Sequence, residues 1–283
     1  MLFDSHSHLN NEDFSAEERM ARIAEIEESD KLDYVMDIGF DLVSSRLAAE
    51  HAAGHSWCYA AVGYHPHEVK DMGAAELDSI WELAQQEKVK AIGEIGLDFH
   101  YDHSPRDIQR EAFRRQIRLA LEMHLPIVIH SREADQETMD ILREEGAFDA
   151  GRKETFLPRP TPDGWEKAAA DARVLLHCFS GSAELGEQYV KLGATISVAG
   201  PVTYKNNKKT VKVVERIPRE FLLAETDSPY LTPEPMRGRP NRSPYIEYTV
   251  RRMAEIKGMT FEEMALFTER NAERFYNITG DEK

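Results

Sequence analysis

Two histidines near the start of the chain, His6 and His8, are separated by a single residue. Side chains on a strand alternate between its two faces, so a short strand here would direct both rings to the same side. Imidazole nitrogens arranged in this way can bind one metal ion. The alternative is a half-buried terminal strand whose histidines only form hydrogen bonds, and the pair alone does not decide between the two.

Further residues of metal-ligand type lie at the ends of later strand-like segments. Seven strands after the first are predicted from apolar runs at 33–39, 57–63, 89–94, 126–130, 173–178, 193–198 and 221–227. Four of these runs have a histidine or an acidic residue at or next to their last position, namely Glu94, His130, His177 and Asp227. A single histidine on an apolar strand is commonly a core residue with a hydrogen-bond partner. Six such residues at equivalent positions indicate a metal site.

Helices are predicted between these strands. Periodic apolar residues indicate helices at 16–29, 42–53, 74–86, 107–123, 135–144, 244–256 and 260–275. Strands that return through helices pair in parallel, and eight of them in 283 residues fit a TIM-type (β/α)8 barrel of the α/β class. An open doubly wound sheet is the alternative, but no G-x-G-x-x-G or P-loop pattern follows a strand.

A single barrel domain over residues 1–283 accounts for the chain, with a proline-rich excursion at about 146–171. Three prolines within 158–162 exclude regular structure there. The excursion is too short and too poor in apolar residues to form a domain. We therefore expect it to extend from a loop or helix of the barrel.

Composition and charge exclude several classes of protein. No apolar run approaches the ~18 residues of a membrane span, and no basic region followed by an apolar one marks a signal peptide. Cys58 and Cys178 lie within strand-like runs and are expected to be reduced, which predicts a cytoplasmic location. The net charge of -16 argues against general adhesion to nucleic acids or membranes but allows a local basic site.

Six protein ligands exceed the three or so that a catalytic zinc site uses, so we expect two divalent ions, of zinc, manganese or magnesium. Glu94 is the predicted bridge between them. His6, His8 and Asp227 would complete one ion, because the first and last strands adjoin in a closed barrel, and His130 and His177 the other. Open coordination positions would hold a water whose pKa the cations lower, and Asp227 could accept its proton. Hydrolysis is the predicted chemistry, with Glu94 and Asp227 as catalytic residues.

Several motifs resemble the TatD family of metal-dependent deoxyribonucleases. They lie at 3–9 (FDSHSHL), 63–67 (GYHPH), 93–98 (GEIGLD), 130–132 (HSR), 177–181 (HCFSG), 225–231 (ETDSPYL), 237–241 (RGRPN) and 271–275 (NAERF). The resemblance covers nearly the whole chain and implies an amidohydrolase-like barrel, a divalent-metal site and phosphodiester hydrolysis on DNA. It assigns as metal ligands the same six residues that placement selects: His6, His8, Glu94, His130, His177 and Asp227.

Two departures from the family pattern bear on substrate binding. The proline-rich connection is longer than the family's, which could alter substrate access near the fifth and sixth strands. In the segment at 237–241, Pro240 stiffens a backbone that follows two retained positive charges, Arg237 and Arg239.

Substrate contacts are predicted near the same strand ends. His65 follows the third strand and is expected to contact substrate phosphate or a metal-bound water. Arg132 suits phosphate by its chemistry, although a structural ion pair is the alternative. Asp98 could orient a ligand histidine or be a plain loop carboxylate, and His67 is expected in a loop or helix cap. The remaining histidines are expected at the surface: His51, His55, His100, His103 and His124.

A basic crescent follows the last two strands, where barrels often bind phosphate. Its members are Lys205, Lys208, Lys209, Arg237, Arg239 and Arg242. Lys205 and Arg237 are closest to their strand ends and are the best candidates for phosphate contacts. Lys208 and Lys209 fit an ordinary solvated helix face equally well.

Three functions are compatible with these features. The first is an exonuclease-like deoxyribonuclease that acts on single-stranded DNA or from an end. The second is a hydrolase of another bond at the same two-metal site, such as the ester of D-aminoacyl-tRNA or a small-molecule amide. The third, a metal-dependent binding protein without catalysis, is disfavoured because pure binding needs no open coordination positions.

Overall fold

The eight apolar segments pair in chain order as a parallel sheet in the computed structural model, which describes residues 1–164, 166 and 169–278. The strands are β1 (Leu2–Ser7), β2 (Leu32–Ile38), β3 (Cys58–Val62), β4 (Val89–Asp98), β5 (Ile127–Arg132), β6 (Val174–Leu176), β7 (Thr195–Val198) and β8 (Leu222–Ala224). Helices on the outside connect them and follow the last strand: α1 (Ala16–Glu27), α2 (Leu42–Gly54), α3 (Ala74–Ala84), α4 (Arg106–Glu122), α5 (Asp135–Glu144), α6 (Ala150–Glu154), α7 (Ala183–Leu192), α8 (Lys208–Arg216), α9 (Ile246–Lys257) and α10 (Phe261–Tyr276). The predicted (β/α)8 barrel is confirmed. Within the described residues, no helix has the length and apolar composition of a membrane span.

Backbone contacts between β1 and the segment after β8 bring the two edges of the sheet together. Ser7 forms a parallel bridge with Ser228. The Asp227 amide donates to the His6 carbonyl at 2.9 Å, and the His8 amide donates to the Ser228 carbonyl at 2.9 Å. Asp227 therefore lies beside His6 and His8, as the closed barrel predicts.

Strand side chains divide between two apolar clusters. The outer cluster joins strand residues such as Val35 and Ile129 to helix residues such as Ile117. The inner cluster fills the barrel and includes the end of α10. Tyr276 stacks on Phe3 with ring centroids 6.0 Å apart, and its hydroxyl donates to the Ser5 carbonyl at 2.9 Å. The end of α10 therefore covers the amino end of the barrel, and polar residues are left for the carboxyl end.

Three strands differ from the predicted lengths by three residues or more. β6 and β8 are shorter, so that His177 and Asp227 lie in the loops that follow them. The backbones of Cys178 (φ 42°) and Asp227 (φ 56°) are left-handed, which a strand does not accommodate. β4 is longer than the predicted 89–94, because its pairing with β5 continues until Asp98 lies opposite Arg132.

The proline-rich excursion packs against the amino end of the barrel. It contains one short helix, α6, and is otherwise irregular over its described residues. The buried Arg159 side chain forms an ion pair with Asp171 at 2.8 Å and donates to the Gly193 carbonyl at 3.0 Å, next to the starts of β6 and β7. The expectation that the excursion affects substrate access is wrong for these residues, since the predicted metal ligands lie at the other end.

Asp171 is the centre of this packing. Its carboxylate contacts three guanidinium groups, those of Arg159 (2.8 Å), Arg173 (3.3 Å) and Arg274 (3.3 Å). Burial raises the pKa of Asp171, but the three positive charges outweigh burial and hold it below its usual range. Because the folded-state pKa is depressed, this stabilisation is present above the ordinary carboxyl pKa and is lost as the pH falls below it.

Replacing Asp171 should therefore destabilise the protein strongly. Asp171→Asn leaves buried guanidinium charge uncompensated, which typically costs about 3–5 kcal/mol. Urea denaturation at pH 7 measures the change in the free energy of unfolding. The control is Asp102→Asn, which removes an exposed ion pair with Arg106 and should leave the midpoint nearly unchanged. Equal effects from the two substitutions would contradict the structural role of Asp171.

Candidate metal centre

The six predicted ligands converge at the carboxyl end of the barrel. His6 lies on β1, Glu94 on β4 and His130 on β5, whereas His8, His177 and Asp227 follow β1, β6 and β8. One group forms around the first strand. His6 Nε2 is 3.3 Å from His8 Nε2 and 3.4 Å from Glu94 Oε2, and His8 Nε2 is 3.4 Å from Asp227 Oδ1.

Glu94 lies between this group and a second pair of histidines. Its other oxygen, Oε1, is 2.8 Å from His130 Nδ1 and 2.6 Å from His177 Nε2. The two oxygens of one carboxylate therefore face two different sets of imidazoles. Two combinations among the six residues have the spacing to hold one ion each: His6, Glu94 and His177; His6, His8 and Asp227.

Hydrogen bonds on the far sides of the rings leave ligand lone pairs directed inward. His8 Nδ1 donates to the Ile38 carbonyl at 2.9 Å, so its Nε2 carries the lone pair. His130 Nε2 lies 3.2 Å from Asp98 Oδ2, which leaves its Nδ1 lone pair directed at Glu94. Such outer partners fix the tautomer of metal-binding histidines. Imidazole nitrogens and carboxylate oxygens that converge in this way can share either protons or a metal cation, and these donor types fit a divalent metal.

The electrostatics of the site also favour a cation. Burial raises the pKa of Glu94, but neighbouring histidines, His177 first, outweigh burial and hold it well below its usual range. Burial lowers the pKa of His177, yet the charge of Glu94 outweighs it and holds that pKa well above the ordinary value. Glu94 is thus kept ionised although it is only 3% exposed, and the position of His177 beside it stabilises positive charge.

His65 lies close enough to Glu94 and His130 to bind a metal ion with them, but its hydrogen bonding indicates that its Nε2 carries a proton. Its Nε2 is 3.7 Å from Glu94 Oε1, and with Glu94 and His130 it forms a third group that could hold an ion. Its Nδ1, however, accepts a hydrogen bond from the His67 amide at 3.2 Å. The neutral ring therefore carries its proton on Nε2, which suits a contact with a phosphate oxygen, the role predicted for it.

Asp98 and His67 are more closely tied to the site than the sequence indicated. Asp98 Oδ2 contacts both His130 Nε2 (3.2 Å) and His67 Nε2 (2.9 Å). Burial raises the Asp98 pKa, but hydrogen bonds, from His130 first, outweigh it and hold the pKa far below its usual range. Asp98 therefore contacts the ring of His130, one of the six predicted ligands, as the first of its two predicted alternatives requires.

Two buried carboxylates that sequence reasoning did not single out hold the loops bearing His177 and Asp227. Glu225 accepts from the Cys178 amide and from the Ser197 hydroxyl, both at 2.6 Å. Asp4 accepts from the Thr226 amide at 2.8 Å and hydroxyl at 2.6 Å. Burial raises the pKa of Asp4 to about 7. The available signal was an acidic residue inside an otherwise apolar strand segment.

One of the histidines predicted at the surface is buried. His51 is 8% exposed, and its Nδ1 is 2.7 Å from Asp37 Oδ2. Asp37 Oδ1 accepts from the Asn10 amide at 3.2 Å, and the Asn10 side chain donates to the Ile38 carbonyl at 2.9 Å. That carbonyl is also the acceptor for His8. The surface prediction for His51 is therefore wrong, because α2 turns its ring toward Asp37.

A cleft of about 770 Å³ opens at the carboxyl end of the barrel, where the predicted ligands lie. His8, His65, Glu94, His130, His177 and Asp227 line it, together with Arg132 and the aromatic residues Phe40, Tyr101 and Tyr230. Arg132 stacks over the Tyr101 ring at 4.6 Å. It forms no ion pair within the part of the chain that the structure describes, so its guanidinium is available to the cleft.

The predicted basic crescent lies outside this cleft. Lys205 lines a separate groove with Lys208. Arg237 is exposed, stacks over the Tyr204 ring at 4.4 Å and lies 3.8 Å from a Glu234 oxygen. Lys209 and Arg239 are exposed, and Arg242 forms an ion pair with Glu25. The crescent as a whole does not surround the metal ligands.

Comparison with known proteins gives matches over nearly the whole chain. The family model described as TatD related DNase matches residues 3–277. The uncharacterized metal-dependent hydrolase YabD of Bacillus subtilis (strain 168) is 42% identical over 278 residues, which are 98% of this chain and 100% of the relative. A 3'-5' ssDNA/RNA exonuclease TatD of Citrobacter rodentium is 30% identical over 246 residues, 85% of each chain. The crystal structure of YJJV, a TatD homolog from Escherichia coli K12, is 25% identical, covers 98% of both chains and has a TM-score of 0.82.

The position of Glu94 predicts how substitutions change metal content. Wild-type protein saturated with zinc or manganese should approach two ions per chain by elemental analysis. Glu94→Gln should weaken both ions because each carboxylate oxygen faces a different set of histidines, whereas His8→Ala should weaken mainly one. The control is His55→Ala, at a ring that pairs with Glu27 outside the site, and it should leave the content unchanged. A maximum of one ion that is insensitive to Glu94→Gln would contradict the shared carboxylate.

Proposed function

Because the chain belongs to the TatD family of metal-dependent hydrolases, we propose that it is an exonuclease-like deoxyribonuclease that cleaves phosphodiester bonds in single-stranded DNA. The observation that carries the proposal is the position of Glu94, whose two oxygens face separate sets of histidines at the floor of a wide cleft. A carboxylate shared in this way is typical of the two-metal sites of nucleases and phosphatases.

We propose two ions in this site. His6, His8 and Asp227 would hold one, His130 and His177 the other, and Glu94 both. When bound, such ions supply positive charge to the phosphate and lower the pKa of a water. Nitrogen ligands from four histidines favour zinc, and the two carboxylates also permit manganese or magnesium.

Asp227 is suited to accept the proton of the attacking water. Burial raises its pKa, but the neighbouring histidines, His8 first, outweigh burial and hold it below the usual range, so the carboxylate is ionised at neutral pH. Its side chain is 14% exposed and lines the cleft. Glu94 is proposed to contribute to catalysis because its single carboxylate contacts both sets of histidines and would hold both ions next to each other.

His65 and Arg132 are proposed to bind the scissile phosphate. The Nε2 proton of His65 points into the site near Glu94, and the Arg132 guanidinium is held against Tyr101 on the wall of the cleft. Both are donors, and Arg suits the planar, two-point recognition of phosphate oxygens.

A single strand fits the cleft better than a duplex. Phe40, Tyr101 and Tyr230 provide aromatic surfaces beside the metal ligands, and unpaired bases stack on such surfaces without regard to sequence. The relative from Citrobacter rodentium is named as an exonuclease of single-stranded DNA and RNA.

Cys58 and Cys178 are free thiols, and we propose a cytoplasmic location, where thiols stay reduced.

Comparing substrates tests the proposal. Protein loaded with zinc or manganese should shorten a single-stranded DNA oligomer labelled at one end, releasing mononucleotides, and should not deacylate D-aminoacyl-tRNA under the same conditions. Gel electrophoresis and deacylation assays on one preparation measure both. Turnover of the aminoacyl ester with no cleavage of DNA would overturn the nuclease proposal and leave the hydrolase site in place.

Asp227→Asn separates catalysis from substrate binding. If Asp227 accepts a proton in the rate-limiting step, the substitution should lower kcat by about 10²–10⁴-fold and change KM little. Steady-state kinetics should be measured at saturating metal, with metal content determined on the same sample. The matched control is Asp41→Asn, at the N-cap of α2 outside the cleft lining. A loss confined to KM would assign Asp227 a binding role.

A further inference from the structure

A second groove of about 490 Å³ lies beside the metal cleft. Lys205, Lys208, Lys212 and Arg252 line it, with Thr203, Tyr204, Asn207, Val211 and Glu215; we call this the lysine groove. Asn207 lines both the cleft and the lysine groove. Its side chain is fixed at the boundary, since Oδ1 accepts from the Thr210 amide and Nδ2 donates to the Pro201 carbonyl, both at 3.1 Å.

Among the described residues, three of the four cations of the lysine groove are unpaired, whereas Arg252 pairs with Glu255 at 2.7 Å and Glu215 is the one carboxylate among the lining residues. Lys205, Lys208 and Lys212 form no ion pair with any described residue. Elsewhere on this acidic surface, exposed arginines commonly have a carboxylate partner, as Arg216 has Glu184 and Glu187. With 51 acidic and 35 basic residues in the chain, three unpaired amines on one concave surface indicate a site for an anion.

The spacing of the amines suits a chain of anions rather than one. Lys208 and Lys212 are four residues apart on α8, so they lie on the same helix face, about 6 Å apart along its axis. Lys205 precedes the helix by three residues and lies two residues before Asn207, which marks the boundary with the cleft, and Arg252 on α9 forms part of the wall. The cations therefore follow a path that leads from the cleft along α8.

An aromatic side chain borders this path. Tyr204 lines the lysine groove, and its hydroxyl donates to the Thr232 carbonyl at 3.0 Å, which holds the ring in place. The Arg237 guanidinium covers the ring at 4.4 Å. Rows of cations beside aromatic and arginine side chains are typical of surfaces that bind single-stranded nucleic acids. Because Arg237 covers a face of the Tyr204 ring, we expect backbone contacts to dominate here.

We propose that the lysine groove binds the phosphate backbone of a single-stranded nucleic acid, on the part of the strand that extends beyond the nucleotides in the metal cleft. The proposal rests on the proposed nuclease function, because continuity with the cleft through Asn207 selects a nucleic acid over other polyanions. It also assigns Lys205 to the extended strand, away from the scissile phosphate.

Length-dependent binding tests the proposal. Fluorescence anisotropy gives the Kd of metal-loaded Asp227→Asn protein for single-stranded dT3, which the cleft alone can hold, and for dT12, which reaches the lysine groove. We expect dT12 to bind at least about tenfold more tightly than dT3. Lys205→Gln/Lys208→Gln/Lys212→Gln in the same background should reduce this ratio to below about threefold. It should also make the slope of log K against log[salt] for dT12 shallower by about 2, at ~0.7 per lost phosphate contact.

A matched control is available on the same helix. Lys209 adjoins Lys208 but does not line the lysine groove. Lys208→Gln should therefore lower the dT12 to dT3 ratio, whereas Lys209→Gln, with the same change in net charge, should not. Equal effects of the two substitutions would mean that general surface charge, and not the groove, attracts the strand.

Other outcomes separate this proposal from the proposed function. An unchanged ratio in the triple variant, or wild-type binding that is independent of length, would overturn the lysine groove as a strand site even if DNA is cleaved. Poly-glutamate that displaces dT12 at equal charge concentration would also overturn it and indicate an acidic polypeptide instead. Absence of phosphodiester cleavage in the wild-type protein, with the ratio lost in the triple variant, would refute the nuclease function and leave the strand site standing.

Discussion

The contact between Glu94 and the histidines around it is the interaction on which the rest of the site depends. A carboxylate that is 3% exposed is surrounded by His6, His130 and His177 at 3.4 Å or less. Glu94 and these histidines come from four separate elements, namely β1, β4, β5 and the loop after β6, so no local segment could assemble them. The parallel barrel brings the carboxyl ends of these elements to one place. Its two edges are joined by backbone hydrogen bonds between β1 and the segment after β8.

Burying this much charge has a free-energy cost, which the surrounding residues offset. Asp98, Glu225 and Asp4 are buried themselves. Asp98 contacts the His130 ring on β5, and Glu225 and Asp4 accept hydrogen bonds from the loops that carry His177 and Asp227. Buried polar groups are tolerated when they are hydrogen-bonded, and networks of this kind specify one arrangement of side chains. The carboxyl end of the barrel is therefore organised for a cation, while the inner apolar cluster and the Asp171 cluster stabilise the opposite end.

The sequence allowed the barrel and the convergence of the six residues to be predicted, because both follow from periodic patterns. Apolar runs mark strands, and polar residues at their carboxyl ends must meet when the strands are parallel. The directions of individual side chains do not follow from such patterns. The sequence predicted a contact between Lys205 and substrate phosphate close to the predicted ligands, and the turn before α8 directs Lys205 into a neighbouring groove. His51 has the spacing of a surface residue on α2, and its partner Asp37 is on a strand 14 positions away.

The ends of β6 and β8 and the position of the proline-rich excursion could not be predicted from the sequence either. The ends of β6 and β8 depend on left-handed backbones at Cys178 and Asp227, which are stabilised by contacts with other loops. The proline-rich segment could be recognised as irregular, but not placed, since its position depends on one buried arginine, Arg159, finding Asp171. Long-range ion pairs of this kind leave no periodic signal.

The most direct test of the central claim is a crystal structure of the manganese-loaded protein, with data collected at the manganese absorption edge. We expect two anomalous peaks about 3.5–4 Å apart, one beside His6, His8 and Asp227 and the other beside His130 and His177, with one oxygen of Glu94 bound to each. A single peak, or two peaks of which Glu94 contacts only one, would contradict it.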